Sequence, residues 1–248
     1  MSPANTFPTE KIQAIHAVAD AREVRVAFQP IVDLRRKELF AYEVLTRTRC
    51  DGIDGPEELF AAAAQAGRVG ELGRLHREEA TRICQDLPLF LNIDPHELDQ
   101  GWLVRPDDPI FRRRAPVTLE ITESVPLRFF SQCQSVLAEI RRKGILLAID
   151  DFGAGFSNLR YVLELEPEVI KLDRALIVGL HPGTRQYRLI EAIVELCHRM
   201  QAKVIAEGIE TEGELGALVG LGVDFGQGYL LGRPANPPPD VLWPHRLF

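Results

Sequence analysis

The chain has 248 residues, of which 46% are hydrophobic and 26% charged, enough for one sizeable core and a length at which α/β barrels fold as single domains. Lys and Arg number 29 against 36 Asp and Glu, a net charge of -7, which argues against a nucleic-acid polymer or a membrane surface as partner but leaves room for a small phosphate ligand held by local arginines. Cys50, Cys84, Cys133 and Cys197 form no CxxC pair, Met1 to Lys11 is no secretion signal, and no apolar run reaches bilayer length, so disulfides, thiolate zinc and a membrane span are not expected and a cytoplasmic protein is.

In chain order, Thr9 to Asp20 places Ile12, Ile15 and Val18 on one face, which predicts a leading helix within a leader of residues 1–22 that docks onto a domain of residues 23–248. Strands are expected at Val24 to Val32 and Leu39 to Leu45, separated by so short a polar stretch, Asp33 to Glu38, that they must pair as an antiparallel hairpin. Helices at Pro56 to Ala66 and Leu72 to Gln85 follow, then strands at Leu89 to Ile93 and Val117 to Thr122. A helix at Phe130 to Lys143 precedes strands at Ile145 to Ile149 and Val169 to Leu172, and a helix at Thr184 to Met200 precedes a strand at Val204 to Ala206. Glu212 to Val219 reads as the last helix and Val223 to Phe225 as the last strand, before a proline-rich tail, Pro234 to Pro244, that should run extended over the surface. Alternating strands and helices define an α/β fold.

A polar side chain stands at or just past the end of strand after strand: Asn92, Glu120, Asp150 with Asp151, Lys171, Glu207 and Gln227, with Glu43 on the second strand. In a closed barrel these ends converge on one mouth, whereas an open sheet would spread them along an edge, so a (β/α)8-type barrel is expected. Clustered carboxylates resist desolvation unless a cation neutralises them. An all-oxygen set of Glu43, Asn92, Glu120, Asp150 and Asp151 suits Mg2+ or Mn2+ better than zinc, and adjacent aspartates can serve two ions. With Lys171 and Arg47 as positive groups for a phosphate, the reaction class that fits is metal-assisted in-line hydrolysis of a phosphodiester. Taken singly, each residue has a plainer reading: Glu43 or Glu207 as a solvated acid, Asn92 before Asp94 and Pro95 as a turn former. Asp151-Phe152-Gly153 lacks the accompanying kinase motifs, and the scattered histidines read as surface or packing groups. The joint occurrence of the set carries the argument.

These residues also fall into the motifs of a known family. The chain resembles EAL domains through Glu43-Val44-Leu45 followed by Thr46-Arg47, Asn92-Ile93-Asp94-Pro95 and Glu120-Ile121-Thr122-Glu123-Ser124. The resemblance continues through Asp150-Asp151-Phe152-Gly153-Ala154-Gly155, Lys171-Leu172-Asp173, Glu207-Gly208-Ile209-Glu210 and Gln227-Gly228-Tyr229. It implies a modified TIM barrel with an antiparallel first strand, and hydrolysis of cyclic di-GMP to linear pGpG with two Mg2+ or Mn2+ ions. By the same resemblance Glu43, Asn92, Glu120 and Asp150 would hold the first ion, and Asp150 and Asp151 the second, with Glu207 nearby. Lys171 would contact the attacking water, supported by Glu210 and Gln227. Gln29, Leu45, Arg47 and Asp173 would hold the ligand, and Glu123 would fix the loop from Asp151 to Asn158. Val44 stands where the family has alanine, on a side chain expected to face away from Glu43, and Ala154 stands where threonine is usual. Neither change deletes a metal ligand. The alternatives are a non-catalytic cyclic di-GMP receptor acting through a partner protein, and a barrel enzyme for another phosphodiester. The family's habit of pairing through the barrel implies a homodimer.

Overall fold

A two-residue alternation along the strands gives the molecule its plan: one set of side chains faces a shell of helices and the other faces a shared axis. The computed structural model describes residues 7–50, 52–122, 127–154 and 159–244. Its elements run α1 (Thr9–Ala21), β1 (Val26–Asp33), β2 (Glu38–Thr46), α2 (Pro56–Gln65), α3 (Val69–Ile83), β3 (Leu89–Asn92), α4 (Pro95–Asp99) and β4 (Val117–Thr122). There follow α5 (Leu127–Arg142), β5 (Leu146–Phe152), α6 (Leu159–Leu165), β6 (Val169–Leu172), α7 (Arg174–Ile177), α8 (Arg185–Arg199), β7 (Lys203–Ala206), α9 (Glu212–Gly220) and β8 (Phe225–Gly226).

The strands close into a barrel in the order β1 to β8. β1 runs antiparallel to both its neighbours, β2 and β8, and the remaining pairs are parallel. The hairpin and closed barrel expected from the sequence are therefore present. The turn between β1 and β2 is held by Asp33, whose Oδ1 accepts the backbone N–H groups of Arg35 and Arg36 at 3.0 and 2.8 Å.

Outward-facing side chains such as Phe28, Val44, Leu91, Leu119 and Ile170 join the main core beneath the helices. Val44 is 1% exposed there, on the face opposite Glu43, as the alternation requires. Inward-facing Ile31, Ala41, Phe90, Ala148, Val169, Ile205 and Phe225 form a separate apolar plug within the barrel, closed at one side by the ring of Phe40 stacked 3.9 Å from that of Phe225. Two residues further toward the mouth, each of these strands changes from apolar to polar: Glu43 follows Ala41, Asn92 follows Phe90, Asp150 follows Ala148, Lys171 follows Val169, and Glu207 and Gln227 follow Ile205 and Phe225. On the reversed β1 the same layer is reached two residues earlier, at Gln29. The apolar plug is thus the floor of a polar cup.

α1 packs on helices α2 and α3. Its buried Ile15 and Val18 pack with Leu59 and Ala62 of α2 and Val69 and Leu72 of α3 in a satellite core, beside ion pairs Lys11–Glu58 at 2.6 Å and Arg68–Asp20 at 2.7 Å. Just past Asn92, Asp94 and Pro95 open α4 with a capping box in which Asp94 accepts from the His96 N–H and Glu97 reaches back to the Asp94 N–H. α3 holds this segment through Arg77, which is fully buried and bonds Glu97 at 2.6 Å and Asp108 at 2.9 Å. The tail runs extended beside β1, where Ala235 and Phe28 exchange backbone hydrogen bonds of 2.8 and 3.0 Å, and the Tyr42 hydroxyl donates to the Pro239 carbonyl at 2.7 Å. All four cysteines are free. No helix among the described residues is long and apolar enough to cross a membrane.

Candidate metal and phosphate site

The polar cup centres on Lys171, which is fully buried. Its Nζ lies 2.7 Å from Glu120 Oε1, 2.8 Å from Asp150 Oδ1, 2.7 Å from Glu207 Oε1 and 3.5 Å from Glu43 Oε2. These contacts are close but poorly aligned: Lys171 Nζ, both Glu120 oxygens and Asp150 Oδ1 make no hydrogen bond among the described residues. Glu43 is better directed. Asn92 Nδ2 donates to Glu43 Oε1 at 3.2 Å, and Gln227 Nε2 donates to Glu43 Oε2 and, at 3.0 Å, to Gln29 Oε1.

Consecutive residues on a regular strand point to opposite faces, yet Asp150 and Asp151 both serve this cup. The strand is broken to allow it. The β5–β6 register shifts between Ile149 and Phe152, and Asp151 adopts φ 55, a left-handed conformation that is uncommon for a residue with a side chain but tolerated best by Asn and Asp. The outcome is two groups of carboxylates whose oxygens lie within 4.8 Å of one another, Glu43 with Glu120 and Asp150, and Asp150 with Asp151 and Glu207. Asp150 belongs to both.

Burial, reinforced by Glu43 and Asp150, raises Glu120 well above the usual carboxylate range. Burial likewise pushes Glu207 up to about 8, with Asp150 and Glu43 adding to it, and Asp151 up to about 6, with Asp150 beside it. Burial works against the Lys171 ammonium, but Asp150, Glu120, Glu207 and Glu43 outweigh it and hold Lys171 well above its ordinary value. Five carboxylates face one ammonium. The excess negative charge, the unaligned carboxylate oxygens and the oxygen-only donor set all fit hard divalent cations.

The structure brings together Glu43, Asn92, Glu120, Asp150, Asp151, Lys171, Glu207, Gln227 and Gln29. Beside them opens a cleft of about 360 Å³. Glu210 lines its rim, exposed and paired with Arg174 at 2.9 Å. Asp173 caps α7, its Oδ1 accepting from the Ala175 N–H at 2.7 Å. Leu45 is half-buried near the end of β2, and Arg47 is exposed, donating from Nη1 to the Thr46 carbonyl at 2.8 Å. The anchoring expected between Glu123 and the loop after Asp151 lies outside the described residues, which omit 123–126 and 155–158; Ala154 is exposed. Sequence reasoning passed over Arg174 and gave Tyr229 no role, although both line the cleft. Their position directly after Asp173 and Gly228 was the available signal.

Comparison with known proteins places these features in a family context. The family described as the EAL domain matches residues 13–234. The bifunctional diguanylate cyclase/cyclic di-GMP phosphodiesterase MucR of Pseudomonas aeruginosa is 28% identical over 250 residues, covering 94% of this chain and 36% of the relative. The chain spans about a third or less of the length of such curated relatives; for the cyclic di-GMP phosphodiesterase NbdA of the same organism, 28% identical over 86% of this chain, the share is 29%. Among solved structures, BlrP1 of Klebsiella pneumoniae in a manganese and cyclic di-GMP complex superposes with a TM-score of 0.71 at 30% identity, covering 86% of this chain and 56% of that one.

Proposed function

The chain belongs to the EAL domain family, and from that membership we propose that it is a divalent-metal-dependent phosphodiesterase that opens cyclic di-GMP to linear 5'-pGpG. The observation that carries the reading is the pair of carboxylate groups sharing Asp150, the arrangement two ions need to sit side by side on one phosphate. BlrP1 in its manganese and cyclic di-GMP complex and the relatives named as cyclic di-GMP phosphodiesterases support the choice of ligand.

Glu43, Asn92, Glu120 and Asp150 would hold the first Mg2+ or Mn2+, and Asp150, Asp151 and Glu207 the second. Bound there, the ions would neutralise phosphate charge and acidify a water. The chain's own part is positional. Asn92 and Gln227 clamp the two oxygens of Glu43 from opposite sides, and Gln29 anchors Gln227, so the carboxylate meets its ion without reorganising. Lys171, fully buried, draws Glu120, Asp150 and Glu207 inward and supplies the positive charge that holds those carboxylates in place. Glu210 extends the polar rim toward the ligand, while Asp173, Leu45 and Arg47 would reach the ligand from beyond the residues that line the cleft.

We place this activity in the cytoplasm, in a barrel unit of residues 23–248 preceded by the leader helix, with pairing to a second copy checked by light scattering. The decisive assay incubates purified protein with cyclic di-GMP and Mg2+ or Mn2+ and follows pGpG by chromatography. Accumulating pGpG supports the enzyme; ligand binding without product under either metal overturns it in favour of a receptor.

A further inference from the structure

Cyclic di-GMP carries two phosphodiester charges, and the carboxylate cup with its ions addresses one of them. The other needs a positive group of its own, at a rim that Glu210 makes more acidic still and in a chain of net charge -7. Among the described residues lining the cleft, Arg174 is the sole cation. Lys171 is enclosed behind the carboxylates with no exposed surface, and Arg47 does not line the cleft.

Arg174 is also built into place. The loop after β7 passes directly beneath it at Gly208, whose φ of +67 is left-handed and whose missing Cβ would fall 2.3 Å from Arg174 Cγ. Only glycine leaves room for the aliphatic stem to lie across the backbone between Glu207 and Glu210. The stem is thereby fixed while the head stays accessible: the side chain is 57% exposed, and its pairing partner Glu210 is 45% exposed. An ion pair so open to solvent contributes little stability, so a phosphate can take the guanidinium from the carboxylate at small cost.

Resting on the cyclic di-GMP reading above, we infer that Arg174 is a substrate-binding residue, whose guanidinium leaves Glu210 to bond nonbridging oxygens of the phosphodiester that is not cleaved. Glu210 then acts as a placeholder that keeps the arginine over Gly208 until ligand arrives. Arg is suited to this exchange because its planar fork meets either a carboxylate or a phosphate with paired donors.

The test compares wild type with Arg174→Met and Arg174→Lys in equilibrium binding of cyclic di-GMP with Ca2+ present, steady-state kinetics with Mn2+, and calorimetric titration of Mn2+ alone. Arg174→Met is expected to weaken ligand binding and raise KM by about tenfold to a hundredfold, as for loss of a charge-assisted hydrogen bond. Its kcat stays within about threefold, its Mn2+ affinity and melting temperature are unchanged, and Arg174→Lys recovers part of the affinity. Arg174→Met that binds cyclic di-GMP as tightly as wild type overturns the inference while leaving the enzyme reading intact. A wild-type protein that takes up Mn2+ but not cyclic di-GMP overturns both.

Discussion

Replacing Lys171 by methionine keeps most of the side chain's volume but removes the only positive charge that the described residues place inside the cup. Nζ touches Glu120, Asp150 and Glu207 at 2.7, 2.8 and 2.7 Å with no exposed surface, and breaking a buried ionic contact by deleting one partner costs about 3–5 kcal/mol. For a chain of this length each kcal/mol corresponds to about 2–4 °C, so chelator-treated Lys171→Met should melt about 6–20 °C below chelator-treated wild type. Divalent cation should return much of the loss, since the carboxylates left behind acquire a counter-charge; at a hundredfold excess over Kd, binding contributes about 2.7 kcal/mol. Thermal melts of both proteins, each in chelator and in saturating Mn2+, measure the effect. A variant that melts within about 2 °C of wild type in chelator, or that gains no more from Mn2+ than wild type does, would refute the reasoning that Lys171 is the internal counter-ion of the cup.

The same charges set a pH dependence. Glu207 and Asp151 are raised in the folded chain, to about 8 and about 6, so their protonated forms stabilise the fold at low pH and that contribution is lost as pH rises through those values; chelated protein should melt progressively lower between about pH 5 and pH 9, and Mn2+ should flatten the curve. Glu43→Gln is expected to weaken Mn2+ binding and turnover by about tenfold to a hundredfold, read by calorimetry and product assay, and a folded variant with full turnover removes Glu43 from the ion shell. Phe90→Ala, which hollows the apolar floor at a residue 1% exposed, should cost about 3–5 kcal/mol in urea unfolding. Arg77→Met strands two buried carboxylates on α4 and the segment after it, and should cost about 3–5 kcal/mol by the same measurement.

Strand-end polar residues were legible because they are separated from the apolar floor by the fixed period of a strand, as with Ala41 and Glu43 or Val169 and Lys171. What escaped sequence reading were departures from periodicity and contacts between distant segments. The register shift that turns Asp151 beside Asp150 is a backbone event with no apolar pattern to announce it. Arg77 sits among other charged residues of α3 and looks solvated until Glu97 and Asp108 are folded against it, twenty and thirty-one positions later. α4 was marked by the spacing of Asp94 and Glu97, but five residues carry too little periodicity to stand out from a turn. The guanidinium of Arg174 gains its meaning only from Gly208, which approaches from another strand.

The reversed first strand has a mechanical consequence. Because β1 runs against the parallel set, its N-terminal end lies at the mouth, where Gln29 stands opposite Glu43 in register and the Arg25 carbonyl is held by the Arg47 N–H at 2.7 Å. In an all-parallel barrel the first strand would begin at the opposite end, a full strand length from the chemistry. Here α1 ends at Ala21, a few residues before that register. The helix is therefore joined to the Glu43 clamp by a short stretch of hydrogen-bonded backbone rather than by the full length of a strand.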